Sequence, residues 1–85
     1  MTTRQEIYAT LCRLLQPFNP NDVELSPATE ISADLSIDSV SVMDFVMEVE
    51  DHFDIEIPLN ILSETRTMDD LVGVVEARLK HKAPS

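Results

Sequence analysis

The chain has 85 residues, with 16 acidic against 6 basic side chains and a net charge of −10. A 44% hydrophobic content with a single glycine fits one folded, helix-rich domain over residues 1–85 and argues against disorder. The acidic field argues against nucleic-acid binding and against association with anionic lipid, and it favours basic protein partners. No apolar run reaches the length of a membrane span, so no membrane insertion is expected. The N-terminus has no apolar signal region, and Cys12 is the sole cysteine; both suit a cytoplasmic, reducing location.

The first predicted helix covers residues 3–16. Ile7, Leu11, Leu14, Leu15 and Phe18 follow helical spacing. Thr3 and Glu6 form a capping-box pattern, and Pro17 and Pro20 stop the helix. A long connection follows over residues 19–37, with Val23, Leu25, Ile31, Leu35 and Ile37 as apolar anchors. Loops of that length in a small domain usually serve a function. A second helix is predicted over residues 38–52, and a short third one over residues 58–63 with Pro58 in its first turn. Between them, Ile55-Glu56-Ile57 alternates like a strand but lacks a pairing partner, so it reads as extended loop. Thr67 reads as the N-cap of a last helix over residues 68–80. Asp69 and Asp70 suit its first turn, and its buried stripe is Met68, Leu71, Val72, Val75 and Leu79. Arg78, Lys80 and Lys82 suit its C-terminal end, and residues 82–85 are expected to fray.

The second helix carries two apolar stripes. Val42, Phe45, Val46, Val49 and Phe53 form one; Val40, Met43 and Met47 fall on roughly the opposite side. A small bundle needs only one buried stripe per helix. The second stripe therefore reads as a solvent-facing docking site, soft in the middle and rimmed by Asp44, Glu48, Glu50 and Asp51. The competing reading is that the third helix covers Met43 and Met47. At the start of this helix Asp38 can fill the N-cap, leaving the Ser39 hydroxyl free to point outward. An anion attached there would meet unpaired N–H groups and the positive end of the helix dipole.

The stretch from Ala33 through Asp34-Leu35-Ser36-Ile37-Asp38-Ser39-Val40 to Pro58 resembles the Asp-Leu-Gly-x-Asp-Ser-Leu motif and recognition helix of the acyl carrier proteins. The order of helices then matches nearly the whole chain. The resemblance implies an all-α four-helix bundle with a short third helix and a long loop between the first two. It implies that Ser39, beside Asp38, carries covalent 4'-phosphopantetheine derived from coenzyme A, and that a phosphopantetheinyl transferase attaches it. The chain itself would be a non-catalytic carrier, holding acyl groups as thioesters. It would present them to acyl-loading, acyl-chain-processing and acyltransferase enzymes with basic docking patches. The family's docking positions fall on Val40, Met43, Asp44, Met47, Glu50 and Asp51. Phe45, Val49, Ile57 and Met68 are the candidates to line an acyl pocket. A monomer is expected. Ser36 stands where the motif has Gly, and Val40 where it has Leu. These departures point to a dedicated carrier for a specialised lipid pathway.

Other readings are weaker. Ser39, His52 and Asp54 supply the residue types of a hydrolase triad, yet Ser39 and His52 are about 20 Å apart along one helix. His52 and His81 read as surface or cap residues near helix C-termini. Asp34-x-Ser36-x-Asp38 begins like a calcium loop, but Ser39 replaces its glycine and Phe45 its bidentate glutamate, so no metal site is expected. A peptidyl or polyketide carrier remains an alternative, as does an unmodified acidic docking module. Cys12, beside Leu11, reads as a small buried hydrophobe. Crowded like charge should make the domain salt-sensitive. The melting temperature is expected to rise on adding Mg or on going from low to physiological ionic strength; a flat response refutes this.

Overall fold

The structure, a computed structural model, describes residues 3–81; residues 82–85 and Lys82 among them lie outside it. In chain order come α1 (Arg4–Leu15), one 3₁₀ turn (Gln16–Phe18), α2 (Ile31–Leu35), α3 (Ser39–Phe53), α4 (Leu59–Leu62) and α5 (Met68–His81). Three long helices and the short α4 give the expected all-α bundle.

Each long helix begins where its sequence provides a cap. Thr3 and Glu6 form the predicted capping box, with the Glu6 N–H donating to Thr3 Oγ1 at 3.1 Å. Asp38 caps α3 by accepting the Ser41 N–H at 2.8 Å. At α5, Thr67 Oγ1 accepts the Asp70 N–H at 3.0 Å, while Asp70 Oδ2 takes the N–H groups of Thr67 and Arg66, each at 3.2 Å. Helix α3 stops at Asp54, which is left-handed at φ 54° and donates its N–H to the Glu50 carbonyl.

The apolar stripes meet in one core. α1 contributes Ile7, Leu11 and Leu15; α3 contributes Phe45, Val46 and Val49; α5 contributes Met68, Leu71, Val72 and Val75. Ile55 and Ile57 are buried from the extended segment before α4, so that alternation reflects core anchoring rather than a sheet. Phe18 meets Phe45 edge-to-face, with ring centroids 6.1 Å apart. Cys12 and Leu79 are half-buried against this core. On the surface Arg4 joins α1 to α5, reaching Glu76 at 2.8 Å and Asp69 at 3.2 Å.

The connection over residues 19–37 departs from the loop expected of it, because it contains α2. Ile31 and Leu35 are spaced one turn apart and both are buried. One turn is too short for periodicity to declare itself. Long-range backbone pairing holds it in place: the Ile31 N–H donates to the Arg66 carbonyl at 3.0 Å, Met68 to Thr29 at 2.9 Å and Asp69 to Pro27 at 2.9 Å. Upstream, the buried Asn19 side chain bonds both the N–H and the carbonyl of Val23. Ser36 ends α2 in the left-handed region at φ 55°, which explains a glycine at this motif position. A residue with a Cβ sits there at a cost of roughly 1–2 kcal/mol. α4 is shorter than expected, and Pro58 serves as its N-cap rather than its first turn.

The N–H groups of Thr67 and Arg66 hold the Asp70 carboxyl below its ordinary value of 3.8. A depressed folded-state pKa contributes stability that is present above the unfolded value and is lost as pH falls through the folded one. The melting-temperature advantage of the natural chain over Asp70→Asn should therefore be full at neutral pH and shrink as pH is taken below 3.8. An advantage independent of pH would contradict this.

Candidate functional site

Ser39 is the first residue of α3 and is exposed. Its hydroxyl has no hydrogen-bond partner among the described residues. Asp38 takes up the Ser41 N–H, and that bond holds its carboxyl below the ordinary 3.8, so it is charged at neutral pH. The N–H groups of Ser39 and Val40 have no intrahelical carbonyl within reach. They leave a positive, donor-rich helix end beside the hydroxyl, which suits a phosphoester. Asp38 is committed to Ser41 and His52 sits near the far end of α3, its ring edge-on to Phe53 at 5.0 Å. The side chains around Ser39 therefore offer a group to be acted upon rather than an activated nucleophile.

The outer stripe of α3 is open. Val40 is 66% exposed, Met43 49% and Met47 59%, and α4 does not cover them. Leu59, at the start of α4, is 68% exposed, which the sequence reading did not single out. Asp44, Glu48 and Asp51 are exposed around the stripe. Glu50 differs: it is half-buried, and its Oε2 accepts the Ile57 N–H at 2.8 Å. It ties α3 to the segment that leads into α4.

A cavity of about 240 Å³ opens between α2, α3, α4 and the start of α5. Its apolar walls are Ile31, Ala33, Val42, Val46, Leu62 and Leu71, with Glu30, Ser32, Thr65 and Arg66 as polar lining. Ser39, Val42 and Val46 stand at i, i+3 and i+7 on one face of α3, so the lining begins one turn from the serine. Phe45, Val49, Ile57 and Met68 are all brought together in the closed core, and none lines this cavity. Val42 and Val46, which line the cavity, belong to the same predicted stripe as Phe45 and Val49 but stand on its cavity-facing edge. The i, i+3, i+7 relation to Ser39 was the available signal. Ile31, Leu62 and Leu71 reach it through tertiary folding and carried no local sign.

A family model described as "Phosphopantetheine attachment site" matches residues 5–75. The chain belongs to the phosphopantetheine-binding acyl carrier proteins. It is 31% identical over 77 residues to an acyl carrier protein of Micrococcus luteus, covering 89% of this chain and 95% of that one. It is 45% identical over 53 residues to a probable acyl carrier protein of Caulobacter vibrioides, covering 62% of each. A meromycolate extension acyl carrier protein of Mycolicibacterium smegmatis is 29% identical over 83 residues, covering 96% of this chain and 83% of that one. The carrier's prosthetic group is covalent 4'-phosphopantetheine, whose thiol holds acyl groups as thioesters. Among the described residues no helix is long and apolar enough to cross a membrane.

Glu50 and Asp51 are adjacent acids with different duties in this geometry. Replacing Glu50 by Ala should cost about 1 kcal/mol, a single hydrogen bond to a half-buried charge, and speed amide exchange at Ile57. Asp51→Ala should leave both unchanged. Equal behaviour of the two variants would refute the assignment.

Proposed function

We propose that Ser39 is the residue to which the arm is attached, with Asp38 setting the helix end that receives it. The observation that carries this reading is an exposed, unbonded hydroxyl at the first position of α3, one turn from a cavity and beside an apolar patch ringed by acid. In the attachment step the Ser39 oxygen attacks the pantetheine-bearing phosphorus of coenzyme A. The new bond is Oγ–P, the pyrophosphate P–O bond breaks, and adenosine 3',5'-bisphosphate leaves. The serine proton passes to a base on the phosphopantetheinyl transferase, because Asp38 is held by Ser41. First-turn N–H groups of α3 then face the phosphodiester.

Val40, Met43 and Met47 are the apolar centre of the docking face, with Asp44 and Asp51 as its charged rim. Glu50 contributes through its negative charge and by steadying the α3–α4 segment. The stretch of sequence between Arg13 and Arg66 holds neither Lys nor Arg, so positive charge is left to the partner. Long-range attraction then steers the encounter, and methionine side chains adapt to different surfaces. The partners are acyl-loading, acyl-chain-processing and acyltransferase enzymes of fatty-acid or specialised-lipid biosynthesis. The cavity walled by Ile31, Val42, Val46, Leu62 and Leu71 shelters the proximal part of a chain. Phe45, Val49, Ile57 and Met68 would join its lining only on repacking of the core. Ser36 and Val40 in place of Gly and Leu support a dedicated pathway, and the carrier acts as a monomer in the cytoplasm.

Intact mass of the protein from its native cell, beside Ser39→Ala, tests this reading. The natural chain should gain one phosphopantetheine and the variant none, and any further mass names the cargo. A native protein that stays unmodified, and that a broad-specificity transferase also leaves untouched, would defeat it. A cargo series of ordinary fatty-acid intermediates alone would defeat the dedicated pathway.

A further inference from the structure

The segment that leads into α3 is fastened by one side chain. The Ile37 N–H donates to the Ser32 carbonyl at 3.2 Å, and Ser32 Oγ donates back to the Ile37 carbonyl at 3.2 Å. The two bonds close a small ring of chain. Inside it Leu35 is buried and Ser36 turns left-handed at φ 55°. Two residues beyond Ile37 stands Ser39, and two beyond that is Ser41, whose N–H is gripped by Asp38 at 2.8 Å. The chain from Ser32 to Ser41 is thus a run of short, closed links.

Ser32 is exposed and fills no core position, and a hydroxyl is not required for the helical turn it occupies. Its bond to Ile37 acts at the point where the chain turns from α2 into α3. Helix ends open more readily than helix interiors. A transferase docked on α3 must still bring the Ser39 oxygen to about 3–3.5 Å from phosphorus. A wandering first turn loses that geometry while leaving Met43, Asp44 and Met47 in place for docking.

We propose that Ser32 is a positioning residue for arm transfer: its hydroxyl clamps Ile37 and so holds the Ser39 hydroxyl where the transferase meets it. The inference rests on Ser39 being the attachment residue.

The test follows transfer of phosphopantetheine from coenzyme A, with Mg and a broad-specificity bacterial transferase, to the full-length unmodified chain, read by intact mass well below the melting temperature. Ser32→Ala should lower kcat about three- to tenfold, the effect of one lost hydrogen bond, with KM held within about twofold because docking is intact. Ser32→Thr, which keeps the hydroxyl, should restore kcat. Amide exchange at Ile37, Ser41 and Val42, whose N–H groups are bonded to Ser32 and Asp38, should quicken in Ser32→Ala while α1 and α5 stay protected. A natural kcat in Ser32→Ala overturns the proposal, as does a loss that follows the melting temperature or one that Thr does not rescue. Ser39→Ala must block transfer in the same assay. A natural chain that accepts no group defeats the attachment reading, and this inference falls with it.

Discussion

Phe45, Val46 and Val49 lie in the core among side chains of α1 and α5, and a helix pinned on one side has no rotational freedom left. Once that register is set, the outward direction of every other α3 residue follows from 3.6 residues per turn. Val40, Met43 and Met47 are delivered to solvent, Val42 and Val46 to the cavity, and Ser39 to the open end. Core packing, an exposed apolar stripe, a cavity wall and a free hydroxyl all come from one fifteen-residue helix. A small domain can combine them because the faces differ while the axis is shared. The caps matter for the same reason: Asp38 and Asp54 fix where the helix begins and ends, and hence which residue occupies its first position.

Charge divides the molecule in a complementary way. Arg4 spends its guanidinium inside the domain, holding α1 to Asp69 and Glu76 of α5. Ion pairs this exposed contribute little stability singly. Around the α3 patch the acids Asp44, Glu48 and Asp51 stand exposed, and the apolar core, not electrostatics, has to hold the chain against its own repulsion.

What could be read in the sequence tracks what is local. α1, α3 and α5 were legible because their apolar stripes span several turns and their caps, Thr3, Asp38 and Thr67, are written a few residues away. The exposure of Met43 and Met47 was legible as the leading reading, since a second stripe had no place in a small core. α2 was not, because a single turn bearing Ile31 and Leu35 is held by backbone bonds to residues 66–69. Glu50 looked like its neighbour Asp51, and only the folded loop brings the Ile57 N–H to it. The cavity escaped for a related reason: an unfilled volume is a property of how helices fail to meet, and no single stripe encodes it. The position of Ser39 was the most legible feature, and Ser36 shows why the neighbouring motif position favours glycine.

The pairing of residues 27–31 with residues 66–69 bears on how the protein is made. A ribosome releases the chain in order, and α5 arrives last with Met68, Leu71, Val72 and Val75, the largest single share of the core. Before then α3 has α1 to lean on but no floor, and the segment carrying α2 has nothing to bond to. Contacts that join the two ends of a chain form late, after the loop between them has closed. The register that aims Ser39 outward is consequently a property of the finished polypeptide. A chain cut before residue 66 would lack the groups to which Pro27, Thr29 and Ile31 bond, and α2 would lose its anchorage.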